Sequence, residues 1–430
     1  VPLAYGADYL VSPRTTYVDV DFEAPLVFAG FGISAPDLGH DDFEGIEVEG
    51  KLVVVVSGAP DAFGSLERTV LSSSASRDAE LLQRGARGVI VVQPQELQGP
   101  ARPRVGYVVP VDSDGGPASA HPEELEASLS VPQRVAEGWL TRAGRSLDEV
   151  LARLRAGESV SFDLGFEGRV QAAFAHESFE SPNVAALLPG ADPSLRNEVL
   201  VLTAHLDHLG VGASVEGDSI YNGTLDNASG SAALLTLASV LTQLEAPRRS
   251  VLFLWVTAEE SGLLGSEYFA RFPTLGTSRI VANQNVDGVM GMITAASDVL
   301  AFGYEHSNLS QSVDYAVGIT GTPVAPDPTP EENLFIRSDQ YAFVRQGIPA
   351  IWVQGGRSAL DPERDAQNEL DTWIVERYHK PTDNLEQPLD LEGIRRELRS
   401  NLLVTWHVSN ALETIEWNPE SFLYKRWVRD

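Results

Sequence analysis

Cysteine is absent from all 430 residues. That removes disulfide stapling and thiolate metal ligation together, so any metal has to be held by His, Asp and Glu, a donor set suited to hard or borderline ions such as zinc. Long apolar runs are absent too: the longest are strand-sized, such as Leu52-Val-Val-Val-Val56, and no segment is expected to span a membrane as a helix. Positive charge is scarce, with 31 Lys and Arg against 61 Asp and Glu for a formal net charge of -30. A phosphate backbone would be repelled, which excludes nucleic acid as a partner. Lysine stands only at Lys51, Lys380 and Lys425, a bias with no functional reading. The chain opens at Val1 without a methionine or an apolar signal segment. The expectation is therefore a processed or truncated form of a longer precursor, compatible with a periplasmic or extracellular location.

What is present suits a globular protein of two domains, at 43% hydrophobic residues. Val1 to about Ala24 reads as a connector. From Pro25 to Phe166 the pieces are short and β-rich: Pro25 to Ile33, Lys51 to Val56, Gly88 to Val92 and Val105 to Val111, with helices over Ser74 to Arg84 and Ser146 to Arg155, and a Pro/Gly/Ser-rich surface loop over Gln98 to Pro122. Residues 167–430 form the second domain, where strands alternate with helices from Ser181 on. Strands are predicted at Asn183 to Pro189, Glu198 to Ala204, Ser250 to Thr257, Arg279 to Val286 and Ile348 to Val353, and helices at Ser229 to Leu244, Leu263 to Phe272, Ser338 to Gln346 and Leu391 to Thr414. The fold class is α/β, a three-layer α/β/α sandwich with a mostly parallel central sheet, and such sheets collect ligands at the carboxyl ends of their strands.

The unusual polar residues of this half stand at those ends. His205 and Asp207 follow Val199-Leu-Val-Leu-Thr203, Asp226 lies in Gly223-Thr-Leu-Asp-Asn-Ala-Ser-Gly230, Glu259 and Glu260 follow the next strand, Asp287 the one after, and His379 precedes Lys380-Pro-Thr-Asp383. Adjacent carboxylates past a buried strand are costly to fold around unless positive charge is present, which points to metal. Two cations about 3.5–4 Å apart need a shared anionic ligand. Asp226 is the expected bridge, with His205 and Asp287 completing one ion, Glu260 and His379 the other, and Glu259 free to act as base on a water between them. Asp207 is placed to accept the second ring N–H of His205, and Asp383 that of His379. His176, His208, His306 and His407 are read as ordinary core or surface histidines.

In order along the chain, Ala204-His-Leu-Asp-His-Leu-Gly210, Asp226-Asn-Ala-Ser-Gly230, Ala258-Glu-Glu-Ser-Gly-Leu-Leu-Gly-Ser266, Asn285-Val-Asp287, Arg337-Ser-Asp339 and Tyr378-His379 resemble zinc metallopeptidase family 28, the dizinc aminopeptidases. The likeness runs from Ser181 to the end. Gly30-Phe-Gly-Ile33, Asp42-Phe-Glu-Gly-Ile-Glu-Val-Glu-Gly-Lys51 and Gly85-Ala-Arg-Gly-Val-Ile90 resemble the protease-associated domain inserted in many members. The resemblance implies two Zn2+ ions, peptide substrates with a free N-terminus, and hydrolysis of the N-terminal peptide bond with Glu259 taking a proton from the attacking water and passing it to the departing amine. It also implies a cis peptide after the bridging aspartate, at Asp226-Asn227. Two positions depart from the family pattern: Gln340 stands where members often have His, and Phe335 where some have Tyr. They leave the auxiliary transition-state donor open among Arg337, Ser338 and Tyr341.

Three other readings share parts of this pattern. A glutaminyl cyclase works with one zinc and normally lacks the inserted domain. A glutamate-releasing carboxypeptidase carries a helical dimerisation domain for which the stretch beyond His379 has no room. A receptor-like relative would have replaced one of the six metal-site residues.

Overall fold

The computed structural model describes residues 2–12, 17–94, 108–111, 118, 124–276 and 278–428. The chain divides into two compact units, Val1–Phe179 and Glu180–Asp430. Among the described residues no helix is long and apolar enough to cross a membrane.

The first unit is built on a six-stranded sheet in the order Leu10–Val11, Ala127–Pro132, Gly88–Gln93, Leu52–Val56, Asp19–Ala29, Ser161–Ala173. Its interior is the buried aliphatic set of Val27, Val53, Val55, Val89 and Val91. The helices over Ser74–Gln83 and Leu147–Arg155 form as expected, capped by the Ser73 and Ser146 hydroxyls. The expected limits at 24/25 and 166/167 are corrected, because both fall inside strands. Asp19–Ala29 and Ser161–Ala173 pair antiparallel from Asp19↔Ala173 to Ala29↔Ser161, and cutting them would strip a ladder of its partner. The leading segment is likewise more than a connector, since Leu10–Val11 pairs with Ala127–Pro132. Of the strand expected over Val105 to Val111, residues 105–107 lie outside the described residues and 108–110 are not strand; the loop expected over Gln98 to Pro122 also lies mostly outside them.

The second unit is the α/β/α sandwich. Its sheet runs Val299–Phe302, Ala350–Gly355, Arg279–Asn285, Glu198–His205, Ser250–Val256, Val184–Leu188. The four inner strands are mutually parallel, and the two outer ones pair antiparallel. Inner parallel strands are covered on both faces and read as unbroken apolar runs, and Val199-Leu-Val-Leu-Thr203 is such a run. Leu200, Leu202 and Ala204 pack with Leu234 and Leu237 of the helix Gly230–Leu241 and with Val404 and Val408 of the helix Leu391–Asn410. Val199 and Val201 face Phe269, Ala342 and Phe343 of the helices Leu264–Arg271 and Gln340–Val344 on the other side. The strand Val184–Leu188 is the exception: Val184 and Leu187 are both about half exposed, at 51% and 52%, and this strand ends the sheet.

Candidate metal centre

Three inner strands stop within a few residues of one another and deliver their next side chains to one place. His205 is the last residue of its strand and is 1% exposed. Beyond Val256 the chain turns at Ala258, which has a left-handed backbone (φ 56°); this is uncommon for a residue with a side chain. Glu259 and Glu260 occupy that turn, and the Glu259 carbonyl accepts the N–H groups of Gly262 and Leu263. The helix Leu264–Arg271 then starts against the strand end so tightly that a Cβ at Gly265 would lie 2.3 Å from the Thr257 carbonyl oxygen. Glycine is required there by space.

Asp226 is presented by a different device. The segment Asp226-Asn-Ala-Ser-Gly230 reads locally as a helix cap, yet its side chains tie two loops together. The Asn227 amide donates to the Val286 carbonyl (3.0 Å) and its oxygen accepts from Gly230 N (2.9 Å) and Gly288 N (3.0 Å), while Ser229 Oγ accepts from Val289 N (2.9 Å). The Asp226–Asn227 peptide is cis, as the resemblance implies. From the far side the buried Asp383 carboxylate accepts the N–H groups of Leu225 (2.9 and 3.0 Å) and Asp226 (3.2 Å) and the Gln387 amide (2.6 Å). Asp383 thus holds the loop carrying Asp226, which corrects its expected service to His379. Asp383→Ala strands two buried N–H donors and is expected to cost about 3 kcal/mol of unfolding free energy, measured by urea denaturation, with Asp383→Asn costing less.

Two donor triads result, and they share one carboxylate. His205 Nε2 lies 3.2 Å from Asp226 Oδ1 and 3.2 Å from Asp287 Oδ1. His379 Nε2 lies 3.2 Å from Asp226 Oδ2 and 3.3 Å from Glu260 Oε2. Asp287 is fixed by its other oxygen, which accepts from Ser338 Oγ at 2.6 Å. Ser338 in turn accepts from Asn285, whose side-chain oxygen takes the Thr203 hydroxyl. His379 has a left-handed backbone (φ 56°) and its ring stacks on Tyr378 at 3.9 Å. The tautomer of His205 is set by the main-chain carbonyl of Asp207, 3.1 Å from Nδ1; the Asp207 carboxylate is 4.0 Å away and accepts the Glu259 N–H at 3.3 Å. Sequence reasoning had the right residue and the wrong oxygen.

With protein charges alone this pocket is short of positive charge. Burial, reinforced by Asp287 and Asp339, pushes the Glu259 carboxyl up to about 9. Burial also pushes Asp339 up to about 7 against the pull of His205 and of the Ser266 hydroxyl. Burial alone would raise Glu260, but the His208 and His379 imidazoles outweigh it and hold it at about 2. His379 is raised to about 10 by its contacts with Asp226 and Glu260, working against burial. Protonated imidazoles here stand where a cation would serve better. Three buried atoms at the same corner, His208 Nδ1 and Nε2 and Glu260 Oε1, have no regular hydrogen bond. Two sets, His205/Asp226/Asp287 and His208/Asp226/Glu260, gather donor atoms closely enough to hold an ion. The imidazole and carboxylate donors present fit zinc.

All seven expected residues, Glu259, Asp207, His205, Asp226, Glu260, Asp287 and His379, converge here. His208 was missed: its ring stands at 2.7 Å from Glu260 Oε1 and edge-to-face with His379. The usable signal was its position three residues after His205, inside the same loop. Two of the three suggested auxiliary donors are spent elsewhere, Ser338 on Asp287 and Tyr341 packed between Arg345 and Trp427; the third, Arg337, pairs with Glu332 at 3.0 Å.

The model of peptidase family M28 matches residues 183–403, just over half of the chain and the whole of the sheet described above, and the chain belongs to that family. Among curated relatives, the probable leucine aminopeptidase 2 of Aspergillus oryzae is 25% identical over 441 residues, covering 99% of this chain and 75% of that protein. The probable leucine aminopeptidase 2 of Aspergillus fumigatus is 27% identical over 54% of this chain and 45% of its own length. Leupeptin-inactivating enzyme 1 of Streptomyces exfoliatus is 33% identical over 50% of this chain and 46% of its own length. Apart from the Aspergillus oryzae protein, the chain spans about half the length of these relatives. Among solved structures, an aminopeptidase from Aneurinibacillus sp. strain AM-1 aligns with a TM-score of 0.45 at 21% identity, over 94% of this chain and 78% of that one.

Proposed function

We propose that this chain is an aminopeptidase that binds two zinc ions and cleaves the N-terminal peptide bond of peptides. The observation that carries the reading is the Asp226 carboxylate, whose two oxygens each sit 3.2 Å from a different imidazole. His205 and Asp287 would hold one ion, His379 and Glu260 the other, and Asp226 both. Zinc bound there supplies an activated water at neutral pH and a positive field for the oxyanion of the tetrahedral transition state.

The remaining work falls to the chain itself. Glu259 sits beside the triads without belonging to either, its main chain anchored on Asp207, so its carboxylate is free to accept a proton from the attacking water and return it to the leaving amine. Its burial among Asp287 and Asp339 gives it the proton affinity that a base needs, once neighbouring positive charge brings the value down toward neutrality. Carboxylates around the site favour a substrate with a protonated amino terminus. The first unit is read as a protease-associated domain on its sequence likeness.

A panel of aminoacyl chromogenic substrates and N-blocked peptides, assayed with and without a chelator, tests the proposal. Expected is activity confined to free amino termini, abolished by chelation and restored by zinc. Equal cleavage of blocked peptides, or activity indifferent to chelation, would overturn it.

A further inference from the structure

We infer that His208 is a positioning residue for Glu260: it occupies Oε1 so that Oε2 is the oxygen presented to the second metal position. The inference rests on the two-metal reading above and adds a residue to it. The distances separate ligands from their supports. Donors on a tetrahedral zinc, at 2.0–2.1 Å from the ion, lie about 3.3 Å from one another. The pairs His205–Asp226, His205–Asp287, His379–Asp226 and His379–Glu260 Oε2 all fall at 3.2–3.3 Å. His208 Nδ1 breaks that pattern in both directions, being 2.7 Å from Glu260 Oε1 and 4.0 Å from Asp226 Oδ2. The first value is too short for two donors on one tetrahedral ion and the second too long; 2.7 Å is instead a close ion-pair contact between an imidazole and a carboxylate, made without regular hydrogen-bond geometry.

Burial gives the contact its weight. The His208 side chain is 6% exposed and that of Glu260 10%, so water does not compete for either. The side chain is also closely confined: a Cβ at Gly223 would come within 2.7 Å of His208 Cγ and 2.9 Å of its Cβ, so the loop that carries Asp226 runs tight against the root of the ring. A carboxylate ligand with an unclaimed second oxygen can swing or bind through both; one whose second oxygen is held presents a single fixed donor. On the other side of the bridge Ser338 does this for Asp287 through a hydrogen bond, and His208 does it for Glu260 through the 2.7 Å ion-pair contact.

The test compares the parent chain with His208→Ala and His208→Asn, the asparagine amide nitrogen lying close to where Nδ1 stands. Zinc affinity is measured by competition against a chromophoric chelator, stoichiometry by elemental analysis, and folding by thermal melts. Expected is a second ion bound roughly 10- to 100-fold more weakly in His208→Ala, substantially recovered in His208→Asn, with the first ion unaffected. A His208→Ala variant that binds the second ion as tightly as the parent overturns the assignment. So does a folded variant in which both ions weaken equally, or one that asparagine fails to rescue. A parent chain that does not take up two ions overturns the two-metal reading itself, and the parent titration shows that separately.

Discussion

Glu259→Gln should keep both ions and lose the reaction. The substitution preserves shape, leaves the Glu259 N–H on Asp207 intact, and removes a carboxylate at the centre that neither triad uses. Positioned proton transfer contributes about 10²–10⁴-fold, so kcat should fall by roughly a thousandfold with KM little changed, because the base acts in the transition state and not in binding. Elemental analysis should still return two zinc ions per chain. Stability should not suffer either: the replaced side chain is a buried carboxyl held near 9 by its surroundings, and a neutral amide is what that environment favours. Loss of metal instead would show that the roles of Glu259 and Glu260 are exchanged.

Asp226→Ala should have the opposite signature, with metal lost first and activity as a consequence. Both triads lose a donor at once, since Oδ1 serves one and Oδ2 the other, and two like charges lose the anion between them. The sharpest readout is thermal. A ligand bound only by the folded chain stabilises it by about 2.7 kcal/mol at a hundred times its dissociation constant, so added zinc should raise the melting temperature of the parent and leave that of Asp226→Ala where it was. Two fully occupied positions in the variant would place the bridge on another residue.

Much of this architecture is legible in the chain because burial on both faces erases ambiguity. Runs such as Leu52-Val-Val-Val-Val56 and Val251-Leu-Phe-Leu-Trp-Val256 admit few alternatives to a covered strand, and polar residues just past them mark the end of the sheet where ligands gather. Edges were harder. The edge strand Val299–Phe302 and the outer helices Ser310–Thr320 and Ala366–Glu376 are short or polar on one side and carry no comparable run. The missed start of the first sheet had a signal: from Asp19 the exposed and buried positions alternate as Asp19, Val20, Asp21, Phe22, Glu23, Ala24, the period of a half-covered strand. At the site, ligand identity followed from residue type and order, whereas second partners did not. Whether His205 Nδ1 meets a carbonyl or a carboxylate of the same Asp207 depends on the turn of a loop, and sequence does not encode that at the level of single oxygens. His208 was hidden for the same reason, being one of two histidines in a single turn with no periodicity to say which way each points.

The half-exposed border strand has a bearing on the bench. Val184-Ala-Ala-Leu-Leu188 carries no charge, and among the described residues only Ser250–Val256 adjoins it, so its outward amides and carbonyls form a ready template for foreign chains. Hydrodynamic size should be followed against concentration before any kinetic constant is trusted, and a lysine at the exposed Ala186, which pairs with Phe253 at mid-strand, is the simplest way to make that rim unwelcoming to neighbours without replacing a residue of the metal centre.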